Sequence, residues 1–290
     1  PDERIVFLRS GSVWMMGTDG QSPEQLTVRS LEAADQGPEV SPDGASLVYA
    51  SAQDGTRRLY LQSMEDLIPT PLTQGIDRDP AWSPDGSQIA FMRGDERVQQ
   101  DLYVMAPEEG ATPQLVLAGD DDRPELAGSP RWAADGRSII MSADRREHQG
   151  TSLWQINLQS KSMKRITPIR NGAPWTRDHS PSLSPDGKRI AFSSNRHNSS
   201  GDSADDYDIY SIAVDGSGLT RLSDDPGTIA DPVYSSDGSR LYFASTRIRT
   251  TGYEWEIFVM AAGGGEQKRL TREARPENSA PSVITLPKAK

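Results

Sequence analysis

Five short stretches of one pattern govern what this chain can fold into: Ser41-Pro42-Asp43-Gly44, Ser83-Pro84-Asp85-Gly86, Ala133-Ala134-Asp135-Gly136, Ser184-Pro185-Asp186-Gly187 and Ser235-Ser236-Asp237-Gly238. They recur at spacings of 42, 50, 51 and 51 residues, so each marks one copy of a module. Proline suits the second position of a type I turn and aspartate the third, where its side chain bonds to backbone. Glycine takes the left-handed position that closes a hairpin bulge. Each stretch therefore reads as a hairpin turn.

The residues around the turns supply four strands per module. An apolar trio follows each turn: Leu47-Val48-Tyr49, Ile89-Ala90-Phe91, Ile139-Ile140-Met141, Ile190-Ala191-Phe192 and Leu241-Tyr242-Phe243. A third element carries an aliphatic-aromatic pair, as at Leu59-Tyr60, Leu102-Tyr103, Leu153-Trp154, Ile209-Tyr210 and Ile257-Phe258. A fourth ends in Leu-Thr or a near relative at Leu72-Thr73, Ile166-Thr167, Leu222-Ser223 and Leu270-Thr271, with 115–117 as a looser version. Four short strands repeated in this way make a propeller blade, and 25 glycines with 21 prolines supply the turns such a fold needs.

Each turn is preceded by a proline, Pro38, Pro80, Pro130, Pro181 or Pro232, read as the first residue of an inner strand, where its missing N–H costs no ladder bond. A sixth, Pro281, has Val283 at the matching place but no turn after it. The missing half of that hairpin is at the other end of the chain, where residues 1–7 match 185–192 with one residue absent and Val13-Trp14 and Leu26-Thr27 complete the blade. The reading is an all-β, six-bladed propeller. Blade 1 is 1–27 plus 281–285, blade 2 is 38–73, blade 3 is 80–117, blade 4 is 130–167, blade 5 is 181–223 and blade 6 is 232–271. Pairing of 281–285 with the opening strand removes two open sheet edges.

The run from Pro80 to Phe91, Pro-x-Trp-Ser-Pro-Asp-Gly-x-x-Ile-Ala-Phe, resembles the WD40-like PD40 repeat of the TolB propeller, and the likeness extends over essentially the whole chain. It implies a non-enzymatic protein-interaction scaffold, or a subunit of a bacterial envelope or extracytoplasmic assembly, in the periplasm or outside the cell. The TolB family carries an α/β domain ahead of its propeller, whereas this chain opens inside blade 1. Oligogalacturonate lyases are a second propeller family with related repeats and a histidine-rich metal site. They imply an alternative, a metal-assisted polysaccharide lyase or hydrolase.

A net charge of −11 argues against tracking nucleic-acid phosphates or an anionic membrane, and favours a neutral or basic protein partner. No apolar stretch is long enough for a transmembrane segment, and the start at Pro1 has neither the basic residues nor the apolar run of a secretion signal. Zero cysteines exclude disulfides and thiolate metal sites within this chain.

With strands lettered A to D outward from the axis, the A–B and C–D turns share one face, and that face reads as architectural. The B–C and D–A loops share the other, including 118–129, 168–180, 194–208 and 246–256. Long loops on a rigid scaffold are where binding resides. Most of the acidic excess falls on this face, as do His148, His179 and His197. Asp35, Asp77, Asp79, Asp178 and Asp231, with Asn278, recur just upstream of the inner prolines and are expected to ring the channel entrance. They either cap local backbone or hold a cationic group.

Asp178, His179 and the loop tryptophans Trp175 and Trp255 complete the expected partner-binding set. No cofactor is expected, although Asp202, Asp205, Asp206 and Asp208 offer oxygen donors for Ca²⁺ without the spacing of an EF-hand. The Asp120-Asp121-Asp122 run reads as a solvated charge cluster. No Gly-x-Ser-x-Gly elbow or phosphate loop occurs, so no catalytic residues are assigned.

Overall fold

The structure, a computed structural model, describes residues 2–28, 34–94, 100–119, 124–144, 150–169, 176–197, 206–224, 227–246, 255–271 and 278–286, with the backbone alone for Asp2 and 278–286. Every regular element described is a strand. Blade 1 holds β1 (Asp2–Arg9), β2 (Ser12–Gly17) and β3 (Glu24–Gln25). Blade 2 holds β4 (Gln36–Val40), β5 (Ser46–Ser51), β6 (Arg58–Ser63) and β7 (Pro69–Pro71). Blade 3 follows with β8 (Asp77–Trp82), β9 (Ile89–Arg93), β10 (Asp101–Met105) and β11 (Gln114–Leu117). Blade 4 has β12 (Glu125–Trp132), β13 (Ser138–Asp144), β14 (Thr151–Asn157) and β15 (Met163–Arg165). Blade 5 has β16 (Asp178–Leu183), β17 (Arg189–Ser194), β18 (Asp208–Ala213) and β19 (Thr220–Arg221). Blade 6 has β20 (Ile229–Tyr234), β21 (Arg240–Ser245), β22 (Glu256–Ala261) and β23 (Lys268–Arg269). Each blade is a four-stranded antiparallel sheet, and β24 (Asn278–Leu286) completes the first by pairing with β1, setting Ile5 opposite Val283.

The hairpin turns form as their residue types dictate. In the Ser-x-Asp-Gly copies the serine hydroxyl donates to the aspartate Oδ1 at 2.6 to 2.7 Å, the amide two residues past the aspartate donates to the same oxygen, and the glycine amide donates back to the serine carbonyl. The Ala133 copy lacks the hydroxyl and keeps only the backbone arms.

The Leu-Thr signature is a clasp between the two outer strands. In five blades the hydroxyl of Thr27, Thr73, Thr167, Ser223 or Thr271 accepts from the first aliphatic amide of strand C, 14 residues earlier, at 2.9 to 3.0 Å. The preceding Leu or Ile amide donates to the carbonyl of that same aliphatic residue.

The apolar residues do not form one central core. Six clusters of buried side chains each straddle one seam between neighbouring blades; Ile5, Phe7 and Met16 of blade 1, for example, pack with Tyr242, Ala244, Ile257 and Leu270 of blade 6. Inner-strand tryptophans reinforce two seams, since the Trp82 indole donates to the Glu39 carbonyl at 3.2 Å and the Trp132 indole to that of Ala81 at 3.0 Å. C–D turns also press against the preceding blade. A Cβ on Gly264, at φ +88°, would lie 2.7 Å from the Leu222 carbonyl oxygen.

The inner strands depart from the expectation that each starts at its proline. They begin two or more residues earlier, and all six have a register shift at the proline. The proline and its predecessor form a β-bulge, a place where a residue without an N–H leaves no ladder bond unmade.

Two expectations follow. Gly264→Ala meets a backbone carbonyl in a left-handed conformation, and should lower unfolding free energy by about 1–3 kcal/mol in a denaturant titration. The serine hydroxyls and backbone amides hold Asp85 and Asp237 at about 2, below the ordinary 3.8. That contribution is complete above about 3.8 and is lost as pH falls through about 2. A ¹³C carboxyl titration should place both midpoints near 2, and Ser83→Ala should move Asp85 upward. A wild-type midpoint at 3.8 would refute the turn analysis.

Candidate partner-binding site

In blades 2 to 6 the bulge sets the residue before the proline at the axis. Gly37, Asp79, Ser129, Ser180 and Asp231 all adopt φ between 50° and 54°, rare for residues with a side chain. Around them lies a pocket of about 260 Å³ lined by Leu8 of blade 1, Gln36 to Pro38 of blade 2, Asp79 and Pro80 of blade 3, Ser129 and Arg131 of blade 4, Ser180 of blade 5, and Asp231 to Val233 of blade 6. A pocket to which all six blades contribute is the mouth of the central channel, and it opens on the B–C/D–A face.

This geometry divides the five predicted acids by register. Asp79 and Asp231 immediately precede their prolines, line the mouth, and belong to blades on opposite sides of the axis. Asp35, Asp77 and Asp178 lie three residues before theirs and are buried between strands. Arg93 grips Asp77 through Nε at 2.7 Å and Nη2 at 2.9 Å. Asp178 accepts from Ser194 Oγ at 2.6 Å and Arg196 Nη2 at 2.5 Å. Asp35 accepts from Thr27 Oγ1 at 2.5 Å, and burial pushes its carboxyl above the usual range.

The same arginine pairing recurs where strand C begins. Asp208 receives Arg221 Nε at 2.8 Å and Ser223 Oγ at 2.7 Å, and Glu256 receives Arg269 Nη2 at 2.5 Å. Four acids of this face are thus paired with arginines inside the blades.

The mouth itself carries charge of both signs. Asp79 Oδ2 accepts from Arg78 Nη1 at 2.7 Å and from the Ser129 amide at 3.2 Å. Asp231 Oδ1 accepts from Ser180 Oγ at 2.7 Å, and His179 Nδ1 lies 3.1 Å from that same hydroxyl oxygen. The His179 ring stands edge-on to Tyr207 with centroids 4.6 Å apart. Burial lowers its pKa, while Asp231 and Asp178 pull the other way. Beside Arg131, Glu39 accepts from the Trp82 amide at 2.6 Å, and burial holds its carboxyl above the ordinary range against the pull of that arginine.

Other predicted residues fall elsewhere. Trp255 packs partly buried against the seam of blades 6 and 1. His197 lies against Asp206 at 3.4 Å and Asp208 at 3.3 Å, apart from the contacts of His179. Of the four calcium candidates, Asp208 is committed to its arginine and serine, and Asp202 and Asp205 lie outside the described residues, as do Trp175, His148 and Asp120 to Asp122. No group of three metal-ligating side chains converges among the described residues.

Arg78, Arg131, Ser129 and Ser180 were not singled out from sequence. The place of each relative to an inner proline is the signal that finds the serines. Concavity is not confined to this face: clefts of about 720 and 560 Å³ open between blades 5 and 6 and blades 6 and 1 beside the hairpin and C–D turns. Exposed large apolar residues favour the loop face, however. Val28, Ile76 and Ile169 lie in D–A loops, against Ile68 in a C–D turn and Leu115 on an outer strand.

The family described as the TolB β-propeller domain, PD40, matches residues 9–201. An uncharacterized peptidase of Bacillus subtilis, YuxL, is 27% identical over 60% of this chain and 31% of its own length. The Tol-Pal system protein TolB of Francisella tularensis subsp. mediasiatica is 24% identical over 53% of this chain and 44% of its own. The chain therefore spans well under two thirds of either relative. The crystal structure of TolB from Acinetobacter baumannii superposes with a TM-score of 0.77 at 20% identity, covering 98% of this chain and 67% of that one. Among the described residues no helix is long and apolar enough to cross a membrane.

The two registers predict unequal stability losses. Asp178→Ala strands Arg196, whose side chain is 7% exposed, without its carboxylate and should cost about 3–5 kcal/mol in equilibrium unfolding. Asp231→Asn, at the open mouth, should cost under about 1 kcal/mol. Equal losses would contradict the division.

Proposed function

We propose that this chain, which belongs to the TolB β-propeller domain family (PD40), is a protein-binding module that holds a segment of its partner over the channel mouth. The observation that carries this reading is the axial pocket to which every blade contributes. Concave sites with a few convergent polar groups are where ligands bind, and here the groups stand on bulges of rigid inner strands. The mouth offers Asp231 and Asp79 to a cationic group, Arg131 to an acidic one, and Pro38, Pro80, Pro232 and Val233 to apolar contact. Val28, Ile76 and Ile169 extend the apolar contact outward on the same face.

By likeness to the Tol-Pal system protein TolB, the partner belongs to a bacterial envelope assembly and the module works in the periplasm or outside the cell. A binding role needs no catalytic residues, in keeping with the absence of a nucleophile elbow from the sequence.

Cross-linked capture from envelope extracts tests the reading by comparing two variant sets. Asp79→Asn with Asp231→Asn and Val28→Glu should reduce recovery of the captured protein by roughly tenfold, the size of one lost anchor at a binding surface. Glu65→Lys with Glu109→Lys, on the turns of the opposite face, should leave it unchanged. Loss with the second set and retention with the first would move the binding surface to the other side.

A further inference from the structure

The contacts behind Asp231 fix where one proton sits. Ser180 has a single hydroxyl hydrogen, and at 2.7 Å from Asp231 Oδ1 it is given to the carboxylate. The Ser180 oxygen, 3.1 Å from His179 Nδ1, is then left to accept. Neutral His179 is therefore the Nδ1–H tautomer, and the basic nitrogen is Nε2. The three residues form a relay from imidazole through hydroxyl to carboxylate, spanning the seam from β16 to β20. Its order is wrong for activating the serine, because the hydroxyl proton points to the acid and not to the base.

Resting on the channel-mouth reading above, we propose that His179, acting through Ser180, is a proton-operated control on Asp231 and so on the capture of a cationic group. With the imidazole neutral, the Asp231 carboxylate presents its charge to the mouth. When Nε2 takes a proton, the imidazolium behind Ser180 offsets that charge, and the cationic group is released.

The groups facing the ring act on it in both directions. Asp231 from blade 6 and Asp178 from its own strand favour the imidazolium, whereas Arg177 opposes it and Tyr207 covers the ring edge-on. Burial is the largest influence and keeps the ring neutral until the pH falls below its ordinary 6.5. Ser180 also sits at φ 50°, so its hydroxyl is held at the mouth by an uncommon backbone conformation. His179 is thus a positioning residue for the site, since it reaches a bound group only through Ser180.

The test uses the full chain with a triarginine amide as the cationic probe. Binding by calorimetry should weaken roughly fivefold or more as the pH is lowered from 7.5 through the His179 midpoint read by NMR. That dependence should vanish in His179→Gln and shrink in Ser180→Gly, which removes the hydroxyl and suits the positive φ. In the wild type, imidazole ¹⁵N shifts assigned by difference from His179→Gln should show the Nδ1–H tautomer and a midpoint below 6.5. Asp231→Asn should lower that midpoint further, because the lost carboxylate favours the charged ring. If probe binding at pH 7.5 ignores Asp231→Asn, the mouth is not the site, and both readings fall. If binding needs Asp231 yet is flat with pH, or if the pH dependence survives in His179→Gln, only the relay is overturned.

Discussion

The pairing of β24 with β1 is the interaction on which the whole assembly depends. Each apolar cluster is shared by two neighbouring blades, so no blade covers both of its own faces. Stacked units of this kind are stable only when every exposed face finds a neighbour. Blade 1 has no inner strand until residues 278–286 return to it, and the seam of blades 6 and 1, with Phe7 against Tyr242 and Ile257, exists only in the closed ring. Closure also fixes the radius at which the inner strands meet and hence the size of the channel mouth.

The bulge at each inner proline then decides which side chains reach the axis. A regular strand would alternate sides along its length, whereas the extra residue re-aims the one before proline into the opening. Aspartates two residues apart, Asp77 and Asp79, consequently live in different surroundings: one is gripped by Arg93 between strands, the other lines the pocket. The arginines that neutralise the inner acids also stack on the aromatics of their blades. Arg93 lies 4.8 Å from the Tyr103 ring centre, and Arg196 lies 5.8 Å from that of Tyr210. Among the described residues, acids of this face are in this way sorted into arginine pairs within the blades and the two aspartates at the mouth.

The fold was legible because its determinants are local and repeated. Turn residues at fixed offsets, apolar trios and the Leu-Thr ending each reflect bonds made within one blade, and the partial repeat at each end revealed how the ring closes. The site was less legible because its determinants cross between blades. Nothing near Asp178 in sequence announces Arg196, eighteen residues on, and the proline that seemed to open a strand instead sits inside it. Ser180 drew no attention beside His179, since its hydrogen bond to Asp231 spans 51 residues. An acid counted from sequence carries no mark of whether an arginine will answer it.

The closing pair also fixes where the first and last strands lie relative to the mouth. Asp2 stands opposite Leu286, so the first and last strands finish side by side, at the end of blade 1 that meets the hairpin turns. That end is the reverse of the molecule from the channel mouth. The two strands that seal the ring therefore leave the opening clear of their own outer ends.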